Sequence, residues 1–201
     1  MNKFIASMLL IGTSLLSWQT ASAQDDTKED RGVKTFTVIT TIHAPIDQVW
    51  AAVGEDYGAI AKSHPKIIRS EYINGTLQAG VGAERICYFN EKGSQYLEER
   101  ILAYDPVNHT FRNQVSQVGK FPLDPEQTVA VYRLEPVDAT TTRFTIVMTY
   151  RTKPAFMGGM MKGSFRGIME DYTVALDHHL QTGENVNKDN FKEISKAYAA
   201  K

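Results

Sequence analysis

Hydrophobic and polar positions change their period as the chain proceeds. From Val33 to Ile42, "VKTFTVITTI" alternates β-branched and aromatic residues with polar ones at a period near two, the pattern of a half-buried strand. "HAPIDQVWAAVGEDYGAIAKSHP", residues 43–65, breaks that alternation. Pro45 suits a first helical turn, Val49, Trp50 and Val53 make a short apolar face, and Gly54 and Gly58 divide the stretch into two short helices. Six further strands are expected, centred on 67–74, 81–90, 94–104, 109–117, 127–135 and 142–151. No helical period intervenes, so neighbours pair as antiparallel hairpins. After Pro154 the period becomes that of a helix. Met157, Met161, Phe165, Ile168, Tyr172, Leu176 and His179 form one apolar stripe, and Gly183 is a natural stop.

This order is α+β. A curved seven-stranded antiparallel sheet wrapped around the long C-terminal helix lets each element bury its single apolar face, over residues 33–184. Such an arrangement leaves a cavity between sheet and helix. Gly159, Gly163 and Gly167 fall off the helical stripe, which predicts either a close contact with another element, such as the tail, or a soft start to the helix. In the tail, residues 185–201, Phe191, Ile194 and Tyr198 share one side of a short helix.

The N-terminal residues follow a different logic. Met1–Ala23 places Lys3 before a short apolar run and ends in "ASA", the pattern of a secretory signal peptide cleaved after Ala23. The run is too short for a membrane anchor, and no later segment is apolar enough to span a bilayer. A periplasmic or secreted protein is expected, with "QDDTKEDRG", residues 24–32, as a flexible lead-in. Lys and Arg number 22 against 23 Asp and Glu, for a net charge of −1, which becomes −2 when Lys3 is lost. That balance offers no basic face for nucleic acid. Cys87 is the sole cysteine, so no internal disulfide forms, and its mid-strand setting reads as a buried small hydrophobe. The five histidines lack metal-ligand spacing, so neither a metal nor another cofactor is expected. His64, before Pro65, reads as a loop residue near a pocket mouth.

Candidate chemistry lies in "GAERICYFNEKGSQYLEERILAYDP", residues 82–106. A three-residue Glu91-Lys92-Gly93 turn with Gly93 left-handed sets Cys87 opposite Leu97, Arg85 opposite Glu99 and Glu84 opposite Arg100. One face carries Ala83, Arg85, Cys87, Phe89, Leu97, Glu99, Ile101 and Ala103; the other carries Glu84, Ile86, Tyr88, Tyr96, Glu98, Arg100 and Leu102. Apolar content turns the first face inward. Arg85–Glu99 is then a shielded pair and Glu84–Arg100 an exposed one. The inward strand positions and the helical stripe predict a ligand cavity lined by Cys87, Phe89, Leu97, Phe111, Asn113, Val115, Ile146, Met148, Tyr150, Met161 and Phe165.

"TIHAPIDQVWAAV", "GVGAERICYF", "EERILAYDP" and the long helix ending "LQTGE", in that order and spacing, resemble the START-related, birch-pollen-allergen-like superfamily, in its polyketide cyclase/dehydrase and lipid-transport branch. The resemblance spans about residues 33–184 and implies a helix-grip fold around a pocket for a hydrophobic or aromatic small molecule or lipid. It leaves any protein partner open. Plant lachrymatory-factor synthases have similar "VG-x-x-R" and "E-[KR]-x-x-A-x-D" motifs, in which an Arg–Glu pair is catalytic, and Arg85 and Glu99 stand at those places. A pocket tyrosine of that branch, at the start of the sixth strand, is here Gln127. Two functions follow: an exported carrier, in which the pair braces the sheet or anchors the ligand, and an enzyme of cyclase, dehydratase or proton-transfer type. In the enzyme, Glu99 moves the proton and Arg85 lowers its pKa.

Overall fold

The computed structural model describes residues 32–200, so the expected signal peptide and nearly all of the lead-in lie outside the described residues. Seven strands form a single antiparallel sheet: β1 (Lys34–Ile42), β2 (Arg69–Tyr72), β3 (Glu84–Tyr88), β4 (Tyr96–Asp105), β5 (Thr110–Val118), β6 (Val129–Pro136) and β7 (Thr142–Tyr150). Their order across the sheet is β1-β7-β6-β5-β4-β3-β2. Helix α1 (Ile46–Trp50) follows β1, α2 (Met157–Thr182) follows β7, and α3 (Phe191–Ala199) lies in the tail. The architecture is the expected α+β helix-grip fold.

Period-two burial explains why these strands share one core. Phe36 and Val38 on β1, Phe111 and Val115 on β5, Ala130, Tyr132 and Leu134 on β6, and Phe144, Ile146, Met148 and Tyr150 on β7 are all buried. Helix α2 sets Phe165, Tyr172 and Leu176 of its stripe against them. The Tyr150 hydroxyl donates to the carbonyl of Gly158 at 2.6 Å, tying β7 to the start of α2. Tail helix α3 buries Ile194 on the other side of α2, beside Ala175 and Val186.

Three local expectations are corrected. Gly54 and Gly58 do not divide the helical stretch; the backbone breaks at Asp56 (φ −86°, ψ 41°), after α1 has run on into a π-type turn over Ala51–Glu55. The glycines serve close packing instead: a Cβ on Gly54 would sit 2.7 Å from the Trp50 ring, and one on Gly58 2.8 Å from that of Tyr72. Ala103 is exposed, because an irregularity between Ile101 and Ala103 reverses the alternation and turns Tyr104 toward Trp50. As for Gly159, Gly163 and Gly167, nothing among the described residues lies within 4 Å of where their Cβ atoms would be. Close contact with the tail is therefore not their role.

Two glycines should respond oppositely to alanine. A Cβ on Gly119 would lie 2.5 Å from the Ser94 carbonyl oxygen, a backbone atom that cannot swing away. Gly119→Ala is expected to cost about 1–3 kcal/mol. Gly163→Ala, in open helix, should add about 0.5–1 kcal/mol. Denaturant unfolding of both variants checks the pair.

Candidate functional site

The register that brings the charged residues together begins at the β3–β4 turn. Gly93 takes a φ of 65°, its N–H donates to the Asn90 carbonyl at 3.0 Å, and the Asn90 Oδ1 accepts the Ser94 N–H at 3.0 Å. Counting back along the ladder, Cys87 faces Leu97, Arg85 faces Glu99 and Glu84 faces Arg100, as the turn predicts.

Arg85 and Glu99 point inward. Arg85 Nε and Nη2 donate to Glu99 Oε2 at 2.8 and 2.7 Å, with side-chain exposures of only 4% and 13%. The rest of the guanidinium is held by Tyr57: Nη1 donates to its carbonyl at 2.7 Å, and Cζ stands 3.8 Å from its ring centroid. Glu99 Oε1 accepts the Asn113 Nδ2 at 2.9 Å, and the Cys87 Sγ lies 3.9 Å from Oε2. Burial opposes the Arg85 charge, but Glu99 and the phenol of Tyr57 more than offset this and hold its pKa well above the usual arginine value.

The second pair is corrected in one respect. Glu84 and Arg100 do meet on the outer face, but Glu84 is itself buried, covered by Asn74, whose amide donates to the carboxylate. That bond, together with the Arg100 guanidinium, lowers the Glu84 pKa against the opposing effect of burial. Arg100 remains 56% exposed.

Beside the inner pair is a cavity of about 40 Å³ between sheet and α2, lined by Ile60, His64, Ile67, Arg85, Cys87, Leu97, Glu99, Tyr132, Met169 and Tyr172. Of the residues expected around a ligand, Cys87 and Leu97 line it. Phe111, Asn113, Val115, Ile146, Met148, Tyr150 and Phe165 are buried in the packed core around it, Met161 packs at the core margin, and Phe89 pairs edge-on with Phe121 at 4.9 Å. A cavity does lie between sheet and helix, but stacked rings such as Phe111 on Tyr132, 4.5 Å apart, take up the space beside most of the expected lining residues. Gln127 ends a short 3₁₀ turn before β6, and the tyrosine β6 brings to the cavity is Tyr132.

His64 is not an ordinary loop residue. It is 2% exposed and stacks on Tyr172 with centroids 5.2 Å apart, and its Nδ1 accepts the Lys66 N–H at 3.1 Å. Burial, aided by the Arg85 charge, lowers its pKa to about 3, so the ring is neutral with its proton on Nε2. Burial also raises Tyr132 and Tyr172 above the ordinary phenol range, and pushes the Cys87 thiol up to about 12. Neither tyrosine hydroxyl has a hydrogen-bond partner among the described residues. Tyr172 was visible on the helical stripe, and Tyr132 follows the inward alternation of β6. Sequence offers no such signal for His64, which belongs to neither period.

A family model described as polyketide cyclase / dehydrase and lipid transport matches residues 34–181. The chain belongs to this family. Among solved structures of the same fold are Ara h 8.0201 (22% identity, 75% of this chain and 99% of that chain, TM-score 0.55) and the Zhui aromatase/cyclase from Streptomcyes sp. R1128 (15%, 74% and 94%, 0.57). A protein from Thermobifida fusca aligns at 21% identity over 76% of this chain and 96% of its own, with a TM-score of 0.61. Comparison with curated proteins finds no match. The polyketide cyclase/dehydrase and lipid transport match therefore covers the whole sheet and nearly all of α2, but stops short of α3.

Removing one member of the inner pair strands a buried charge, so Glu99→Gln and Arg85→Met should each cost about 3–5 kcal/mol in denaturant unfolding. Glu135→Gln, which breaks the exposed Arg143–Glu135 pair, should cost at most about 1 kcal/mol. His64 makes a separate prediction. Its folded pKa of about 3 lies below its ordinary value of 6.5, so the unfolded chain takes up the proton first as pH falls. The contribution is full above pH 6.5 and declines toward pH 3, with about 2 kcal/mol lost between pH 6.5 and 5. His64→Phe should flatten that slope.

Proposed function

We propose that the protein is an exported carrier that holds a hydrophobic or aromatic small molecule, with a polar end, between sheet and α2. The observation that carries this reading is the division of labour among the cavity's polar groups. Arg85 and both carboxylate oxygens of Glu99 are engaged by protein partners, whereas Tyr132 and Tyr172 line the same cavity with no hydrogen bond of their hydroxyls among the described residues. Cavity-lining tyrosines whose hydroxyls lack a protein partner favour a ligand that supplies one. Leu97, Ile60, Ile67 and Met169 provide the apolar contact. At about 40 Å³ the cavity holds a few waters. Small-molecule sites commonly measure about 300–1,000 Å³, so the ligand is seated by moving a wall outward.

An enzymatic reading is favoured by one specific observation: Glu99, neutral His64 and two protonated tyrosines line one shielded cavity. Groups of that kind can hold and pass a proton in cyclisation or dehydration.

Native mass spectrometry of the protein purified from its own compartment, followed by solvent extraction, tests both. The expected result is a chain beginning at Gln24 that carries a small apolar molecule. Tyr132→Phe and Tyr172→Phe should each weaken binding of that molecule by about 3–10-fold, the worth of one hydrogen bond. A chain that retains residues 1–23 would refute export. If Glu99→Gln folds and retains the molecule but no longer converts it, the enzymatic reading replaces the carrier.

A further inference from the structure

The cavity's walls differ in how firmly they are held. Arg85, Cys87, Leu97, Glu99 and Tyr132 stand on strands paired on both sides, and Met169 and Tyr172 belong to a 26-residue helix. Ile60, His64 and Ile67 stand instead on a 3₁₀ segment and the irregular turn that follows it. Tyr57, at the start of that segment, is fixed by Arg85. Residues 60–67 are tied to the rest of the domain by the Ala61 N–H to Ser70 Oγ at 3.1 Å, the His64–Tyr172 stack, the Lys66–Asp171 ion pair at 3.8 Å and the core packing of Ile60 and Ile67, with no ladder of backbone bonds.

One further tie comes from the C-terminal tail. After the left-handed turn at Gly183 the chain reverses, and the Val186 N–H donates to the Lys62 carbonyl at 2.9 Å while Val186 forms a parallel bridge with Ser63. Val186 is fully buried and Ser63 is 4% exposed. The tail is anchored beyond this point by Ile194 and Phe191 packed behind α2, and by Gln181 Nε2, which donates to the Tyr198 hydroxyl at 3.1 Å and to the Asp177 carboxylate at 2.8 Å. The tail residues of these contacts, Val186, Phe191, Ile194 and Tyr198, lie beyond the residues that the family model matches.

We propose that residues 184–199 are a strap that holds the 60–67 wall shut over the Arg85–Glu99 cavity, and that release of the Val186 pairing is the step that admits the ligand. The inference rests on the binding reading above and assigns that site its point of access and its control. A ligand that needs the opened wall binds with an affinity reduced by the fraction of time the wall is open, so strap strength sets both uptake rate and retention. Anything that engages α3 and draws it from α2 would then unload the cavity.

Two full-length variants test this from opposite sides. Val186→Pro deletes the N–H that ties Lys62 and keeps an apolar side chain. Ser63→Cys/Val186→Cys places two thiols across the bridge; Cys87, buried with its thiol pushed up to about 12, stays out of the reaction. The readouts are stopped-flow uptake of the uncharged dye N-phenyl-1-naphthylamine and amide hydrogen exchange. With Val186→Pro, exchange in residues 60–67 and dye uptake should both quicken about fivefold, with β5–β7 unchanged. Oxidation of the double variant should slow uptake about tenfold or more, and reduction should restore it. The strap is overturned if Val186→Pro leaves exchange at 60–67 unaltered, or if the oxidised form takes up dye at the wild-type rate. Should no form take up dye, the binding reading fails, and exchange alone still decides the strap.

Discussion

The buried ion pair between Arg85 and Glu99 is the constraint to which the surrounding structure conforms. Two charges removed from water are tolerable only when every lone pair and proton finds a partner. The partners come from separate parts of the chain: the Tyr57 carbonyl and ring from the 3₁₀ segment after α1, Asn113 from β5, and the Cys87 thiol one ladder step away. The pair thereby ties β3 and β4 to β5 and to the wall that closes the cavity. Loss of any one partner leaves the others unpaired in a low-dielectric interior. That is why such a pair holds register firmly even where it adds little net stability.

Burial then determines the chemistry of the cavity. It keeps His64 neutral and leaves Tyr132 and Tyr172 protonated across the physiological range. The charge of Arg85 is matched by Glu99 at its side. The cavity therefore carries no net charge, with His64, Tyr132 and Tyr172 beside the apolar Ile60, Ile67, Leu97 and Met169. This composition suits an uncharged molecule with a polar end better than an ionic one, since an ion would have to shed its hydration without a counter-charge.

Relatives of the same fold include an aromatase/cyclase, and the family description spans both catalysis and transport, so the fold by itself does not choose between them. In this chain the site is nearly closed. The aromatic stack through Phe111, Tyr132 and Phe144 fills most of the space between sheet and helix. The remaining void adjoins the one wall that is not built from strand or α-helix. The tail meets that wall at Val186, which pairs with Ser63 and donates to the Lys62 carbonyl.

The element order, the α+β class, the hairpin register and the inward Arg85–Glu99 pair were all legible in the sequence. Each follows from a short-range signal: a period of two or 3.6, or a glycine at a turn whose geometry counts residues. Asn113 and Tyr172 were legible in the same way, one polar and one aromatic residue at positions that must face inward. Other features were decided only when distant segments met. Ala103 turns outward because pairing with β5 inserts an irregularity that no local period records. Gly54 is needed because of where the Trp50 ring lies, and Glu84 is buried because Asn74 folds over it. His64 becomes a neutral cavity wall because Tyr172, more than a hundred residues later, stacks on it while Val186 ties its neighbour Ser63. Periodicity states which way a residue faces; how much room is left in front of it depends on side chains contributed by every other element.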